Sequence, residues 1–150
     1  MVEDAPVPRP WLSLIGIGED GQEGLSASAR HLLAQADWIW GGARHLAMVP
    51  DHSAVKTPWP RPFSDAIPAL LAQRGERVCV LASGDPFYFG VGSLLAEHLT
   101  PGEYQTVPAP SSLSLAAARL GWSQQDCTAV TLHGRPLERI IPHLTPTPGC

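Results

Sequence analysis

The chain has 150 residues, a formal net charge of −4 and 44% hydrophobic residues against 16% charged ones. That length fits one core of ordinary domain size and not two, and the charge argues against the broad basic surface that counterion-driven nucleic-acid binding needs. Nine of the ten basic residues are arginine and only Lys56 is lysine, a bias that either follows genome composition or supplies planar forks for carboxylate ligands. Cys79, Cys127 and Cys150 are odd in number and lack metal-ligand spacing, so no metal centre is expected and a reducing compartment fits best. The acidic opening Met1-Val2-Glu3-Asp4 lacks the basic and apolar regions of a secretory signal, and no apolar run nears the ~20 residues of a membrane helix. The expectation is a cytoplasmic protein that engages neither membrane nor nucleic acid.

In chain order, a Pro-rich entry (Pro6, Pro8, Pro10) leads into an apolar strand, Trp11 to Ile15, followed by Gly16-Ile17-Gly18-Glu19-Asp20-Gly21. Ser26 is placed to cap a helix through about Gln35, because Leu25, Ala29, Leu32, Leu33 and Ala36 recur at helical spacing. Trp38-Ile39-Trp40 is a second strand closed by Gly41-Gly42, after which come a helical turn (Ala43 to Met48) and a weak strand (Ala54 to Thr57). Beyond the prolines at 58, 60 and 62, Ser64 is expected to cap a helix from Asp65 to Gln73, with Pro68 in its early turns where the missing N–H matters least. Arg77 to Ala82 is the most strand-like segment. It is followed by the Ser-Gly-Asp-Pro loop, a helix from Val91 to Leu99, a strand from Tyr104 to Val107, and an Ala/Leu-rich helix from Ser111-Ser112 to Gly121. A strand from Cys127 to Leu132 and a helix from Leu137 to about Leu144 close the pattern.

Strands alternating with helices and no hairpin signals predict an α/β fold: a mostly parallel sheet with helices on both faces. The domain reading is a first α/β domain over 1–121, a linker over 122–126 and the beginning of a second α/β domain over 127–150. One strand and one helix cannot enclose a core of their own.

Ser83-Gly84-Asp85-Pro86 ends a strand and turns into a helix, which marks the carboxyl edge of a parallel sheet, where such sheets hold ligands. Gly84 lets the chain turn and Pro86 drives Asp85 away from helical dihedrals. The first glycine cluster matches Gly-x-Gly-x-x-Gly and raises a dinucleotide site as one reading. Against it, Ser26 caps its helix several residues too late to face a pyrophosphate, and Trp40 is followed by Gly41, Gly42, Ala43 and Arg44 where an acid should hold the ribose.

Four motifs together carry a more specific signal: Gly16-Ile17-Gly18-Glu19-Asp20-Gly21, the run Ser83-Gly84-Asp85-Pro86-Phe87-Tyr88-Phe89-Gly90-Val91-Gly92, Pro110-Ser111-Ser112, and Leu132-His133-Gly134-Arg135. In this order they resemble the tetrapyrrole (corrin and porphyrin) methylase family, over roughly Trp11 to Pro136. The commoner first motif of that family is Gly-x-Gly-Pro-Gly, and here Glu19-Asp20 replace Pro-Gly. Val91 stands where the uroporphyrinogen-methylating branch usually has arginine. Both departures are similar to the branch that methylates C5 of precorrins.

The resemblance implies an S-adenosylmethionine-dependent methyltransferase of cobalamin biosynthesis acting on C5 of a late precorrin, with its cofactor folded in a cleft between two domains. It implies cofactor contacts from Gly16, Gly18, Gly84, Asp85, Pro86, Gly90, Ser111 and Ser112. The helix starts after Gly90 and at Ser111-Ser112 would receive the cofactor carboxylate. Asp85 would accept from the cofactor amino group or offset the sulfonium, or else tie its own loop. Arg44 and Arg135 are candidates for the carboxylates of a precorrin, the alternative being solvated surface charge. His133 is a weak catalytic candidate, a donor to the macrocycle or a base, the alternative being a structural histidine. Methyl transfer depends on alignment more than on a nucleophile, and none is expected. Complete members of the family continue through a second domain that supplies adenine contacts and a dimer interface, which implies a homo-oligomer for a full-length protein. The competing expectations are a truncated, non-catalytic fragment and a dinucleotide-binding domain.

Overall fold

The computed structural model describes residues 9–144. Five parallel strands, β1 (Leu12–Ile17), β2 (Trp38–Gly41), β3 (Val55–Pro58), β4 (Val78–Ser83) and β5 (Tyr104–Val107), form one sheet in the order β3-β2-β4-β1-β5. Parallel strands covered on both faces read as continuous apolar runs, and β1 (LSLIGI) and β4 (VCVLAS) do so. Their alternate side chains part to opposite sides. Ile15, Ile17, Ile39, Cys79 and Leu81 build one core with Leu25, Ala29 and Leu33, while Leu12, Leu14, Trp40, Val78 and Val80 build the other with Ala66, Leu70 and Leu95. Thus α1 (Ala27–Ala34) covers one face, and α3 (Ala66–Leu71) and α4 (Val91–Ala96) cover the other. The α/β class, the parallel sheet and the helices on both faces are as the sequence predicts. Burial in the first core pushes the Cys79 thiol up to about 12, so it is an inert packing group.

The amino edge of the sheet is locked by charge. Glu103, one residue before β5, accepts from Arg74 Nε at 2.6 Å, the Thr100 N–H at 2.8 Å and the Trp11 indole at 3.3 Å. These donors, Arg74 first and the Thr100 N–H next, hold its carboxyl down to about 2. Asp37, just before β2, takes both prongs of Arg77, just before β4, at 3.0 and 3.1 Å.

Most helix ends follow their residues. Ser26 Oγ accepts from the Ala29 N–H at 3.2 Å and caps α1 as expected. Ser64 does not cap: it lies inside a 3-10 turn, Phe63–Asp65, from which α3 begins at Ala66 with Asp65 in the cap position. The cause is the turn itself, because its helical dihedrals leave Ser64 no extended residue geometry from which to reach the α3 amides.

The chain divides into two compact units, Met1–Ala109 and Pro110–Cys150. In the second, Ser111 Oγ accepts from the Ser114 N–H at 3.1 Å and starts α5 (Ser112–Leu120), and Gly121, at φ 69°, ends it in the left-handed conformation. The segment expected as a linker contains a 3-10 turn at Gln124–Asp126, braced by the Ser114 hydroxyl on Gln124 at 3.2 Å. The strand expected over Cys127–Leu132 does not form among the described residues. A strand requires a neighbour to take up its backbone groups, and no strand pairing among the described residues includes this segment. Leu137–His143 is a 3-10 helix rather than an α-helix, with Pro142 inside it, whose ring would clash with the carbonyl four residues back in an α-helical turn.

Candidate functional site

Adjacent strands β1 and β4 send their following helices to opposite faces, α1 to one and α4 to the other. At such a divergence, at the carboxyl ends of the strands, open α/β sheets form the crevice that binds ligands. The loops there are drawn together by backbone hydrogen bonds. Gly84 N donates to Ile17 O at 3.3 Å and Ala109 N donates to Gly84 O at 3.1 Å, so the ends of β1, β4 and β5 meet at Gly84, whose φ is 59°. Gly16 makes this approach possible: a Cβ there would lie 1.9 Å from the Gly84 oxygen and 2.5 Å from the Ala109 nitrogen. Gly18 is freer, with only the Asp20 carboxylate near its missing Cβ, at 2.9 Å.

The loop after β4 is wound tightly on itself. Asp85 Oδ1 accepts from the Phe87 N–H at 2.9 Å, so the loop-tying role holds one of its two carboxylate oxygens. Pro86 is buried, and its carbonyl accepts from Gly92 N at 2.7 Å. A Cβ on Gly90 or Gly92 would lie 2.5 or 2.6 Å from that same carbonyl oxygen. Phe89, with φ 52°, lies in a region that bulky residues rarely adopt, and it is exposed beside Tyr88, with ring centroids 4.8 Å apart.

Across the crevice, α2 (Ala43–Leu46) follows β2 and Gly42. Arg44 Nη1 reaches Glu19 Oε1 of the β1 loop at 3.2 Å, with both side chains exposed. An ion pair so exposed contributes little, so the guanidinium can change partners readily. His45 Nε2 lies 2.9 Å from Ser83 Oγ, a hydrogen bond whose direction depends on the ring tautomer. Partial burial, with Arg44 beside it, lowers the pKa of His45, which keeps the ring neutral at pH 7.

The first unit therefore brings together Gly16, Gly18, Gly84, Asp85, Pro86, Gly90 and Arg44 at the carboxyl edge. Ser111, Ser112, His133 and Arg135 belong to the second unit. There the Ser111 hydroxyl caps α5, the His133 N–H donates to Thr131 Oγ1 at 3.3 Å, and the Arg135 N–H closes a turn on Leu132 O at 3.1 Å. The sequence reading missed His45, Glu19 and Ala109. For His45 there was no local signal, since its partner Ser83 lies 38 residues away. For Ala109 there was none, since only its backbone takes part.

A family model for tetrapyrrole (corrin/porphyrin) methylases matches residues 12–146. The chain belongs to this family. Among tetrapyrrole methylases, the precorrin-6Y C(5,15)-methyltransferase (decarboxylating) of Sinorhizobium sp is 50% identical over 141 residues, covering 93% of this chain and 34% of the relative. The chain thus spans about a third of that protein's length. The precorrin-6Y methylase structure from Archaeoglobus fulgidus superposes with a TM-score of 0.64 at 26% identity, over 82% of this chain and 65% of the other. The uroporphyrin-III C-methyltransferase of Thermus thermophilus, solved with S-adenosylhomocysteine, has a TM-score of 0.52 at 25% identity, over 71% of this chain and 47% of that one. The dinucleotide reading gives way to this membership. Consistently, Gly21 opens a 3-10 turn and α1 starts only at Ala27.

Proposed function

We propose that the chain is the C5-methylating portion of an S-adenosylmethionine-dependent precorrin methyltransferase of cobalamin biosynthesis, working in the cytoplasm. The observation that carries the proposal is the meeting of the β1, β4 and β5 ends at one sheet edge, with Gly16 packed against Gly84 and Ala109, in a member of this family. The name of the Sinorhizobium relative supports the C5 position, and the ligand of the Thermus structure supports the cofactor.

The residues present suit such a ligand: backbone groups of a glycine loop, the Ser83 hydroxyl, the Asp85 carboxylate and an exchangeable guanidinium surround one edge. The cofactor supplies an activated methyl group on a sulfonium. Gly16, Gly18 and Gly84 hold the loops close enough for backbone contact, Pro86 and Gly90 fix the loop that carries Asp85, and Asp85 balances positive charge. Arg44 receives a substrate carboxylate in exchange for Glu19, a charge-assisted contact of about 1.5–3 kcal/mol. In the second unit, Ser111 and Ser112 present the α5 amino end to the cofactor, Arg135 takes a further substrate carboxylate, and His133 is kept as the weaker candidate for handling a proton. Residues 1–121 form the first domain in this reading, 122–126 a linker, and 127–150 the beginning of a second α/β domain, whose exposed Leu137, Ile141 and Leu144 call for a cover. A longer protein of this kind is a homo-oligomer.

The test is incubation of the chain with methyl-labelled S-adenosylmethionine and a precorrin acceptor, beside a full-length relative. Label in the precorrin supports the proposal. Label transferred only by the longer relative favours the non-catalytic fragment.

A further inference from the structure

We infer that His45 is a positioning residue that holds the Ser83 hydroxyl as a preset hydrogen-bond donor to a ligand carboxylate in the crevice. The inference rests on the proposed reading of that crevice as the ligand site.

Ser83 is the last residue of β4, opposite Ile17 of β1 in the register, and is exposed at the carboxyl edge of the sheet. A free serine hydroxyl on an exposed strand end turns among its staggered positions. Here the imidazole restrains it, at 2.9 Å. The ring lies close to the chain that precedes its helix, since a Cβ on Gly42 would be in ordinary contact with its Nδ1, at 3.7 Å. In the neutral tautomer with the proton on Nε2, His45 donates to Ser83 Oγ and leaves the serine O–H to donate outward. The groups around His45 and the crevice mouth are Arg44, on the same helix, Glu19, paired with Arg44, and Asp85, tied into its loop. A carboxylate arriving here meets one hydroxyl aimed at it and one guanidinium free to exchange. Carboxylates occur on the amino-acid end of the sulfonium cofactor and on the acid side chains of tetrapyrroles, and the shared chemistry is what the pair recognises.

Calorimetry on the chain with S-adenosylhomocysteine, with methylthioadenosine, which lacks the carboxylate, and with uroporphyrin III separates the sources. Ser83→Ala and His45→Ala are each expected to weaken one carboxylate ligand by about tenfold or more. The double variant should be no weaker than Ser83→Ala, because the two act as one unit. His45→Gln, whose amide can still donate, should restore most of the affinity. Loss confined to S-adenosylhomocysteine, with methylthioadenosine unchanged, assigns the pair to the cofactor, and loss confined to uroporphyrin assigns it to the substrate. The inference is overturned if the wild-type chain binds while Ser83→Ala changes neither ligand, or if the Ser83 and His45 effects simply add. Wild-type chain that binds neither ligand overturns the proposed function and the inference with it. Ser83 is exposed, so Ser83→Ala should remain folded and keep the test decisive if His45→Ala does not.

Discussion

Replacing Gly16 with alanine should damage the fold at the point where the site is built. The new Cβ would stand 1.9 Å from the Gly84 oxygen and 2.5 Å from the Ala109 nitrogen, and both are backbone atoms that cannot rotate away. Restoring ordinary contact demands a movement of roughly 1 Å. The movement separates the strand ends joined by Gly84 N to Ile17 O and by Ala109 N to Gly84 O. Two such bonds contribute about 0.5–1.5 kcal/mol each and overpacking costs about 1–3 kcal/mol, so the loss is about 2–6 kcal/mol. Against a total stability of about 5–15 kcal/mol this is large, and it lowers Tm by something on the order of 10 °C. Gly18→Ala is the control: its nearest neighbour is the end of the Asp20 side chain, which can turn aside, and stability should change by no more than about 1 kcal/mol. Urea denaturation of both variants reads the difference. Equal midpoints for Gly16→Ala and wild type would refute the close approach on which the crevice depends.

Other consequences follow from the charges and caps. Burial and Arg44 lower the pKa of His45, so the unfolded chain binds a proton there more readily than the folded one. Stability from this group is full above 6.5 and falls as pH drops from 6.5 towards the folded value. Urea midpoints across that range should show a decline that His45→Gln flattens, and an unchanged slope in the variant would contradict the burial argument. For Glu103 the window is lower: its contribution is intact above the ordinary carboxyl value of 4.5 and is lost as pH falls to about 2. Acid unfolding monitored by tryptophan fluorescence should be less steep in Glu103→Gln over that interval. Removing the α1 cap by Ser26→Ala, with its 3.2 Å bond to Ala29 N, should cost about 1 kcal/mol. A thermal melt that does not move would show that the cap contributes nothing.

The parts of the fold that local chemistry decides were legible in advance. The apolar run of β4, the Ser26 cap, the helix start at Ser111-Ser112 and the Gly121 stop each follow from a few neighbouring residues and stand where expected, while β1 runs on through Gly16 and Ile17, which read as loop in the sequence. The failures lie where residue type alone does not decide. Cys127–Leu132 has the composition of a strand, yet composition cannot supply the neighbouring strand that its backbone requires. Ser64 has a capping side chain, but the turn that it sits in removed the geometry for capping. The site divides in the same way. Glycines that permit close approach are visible as letters, and so is Asp85. The strand order that sets β4 beside β1, and thereby sets Gly84 against Gly16, lies in no local pattern. Nor does the contact between His45 and Ser83, which are 38 residues apart.

The central claim is that the β1 and β4 loops form the ligand-binding edge, and a titration of the isotopically labelled chain with S-adenosylhomocysteine, followed by amide NMR, tests it most directly. The account predicts saturable shifts at Ile17, Gly18, Ser83 and Gly84, with Trp11, Arg77 and Glu103 at the opposite edge unmoved. Saturable shifts centred on the opposite edge, or a response to NAD at those same amides with none to S-adenosylhomocysteine, would contradict it.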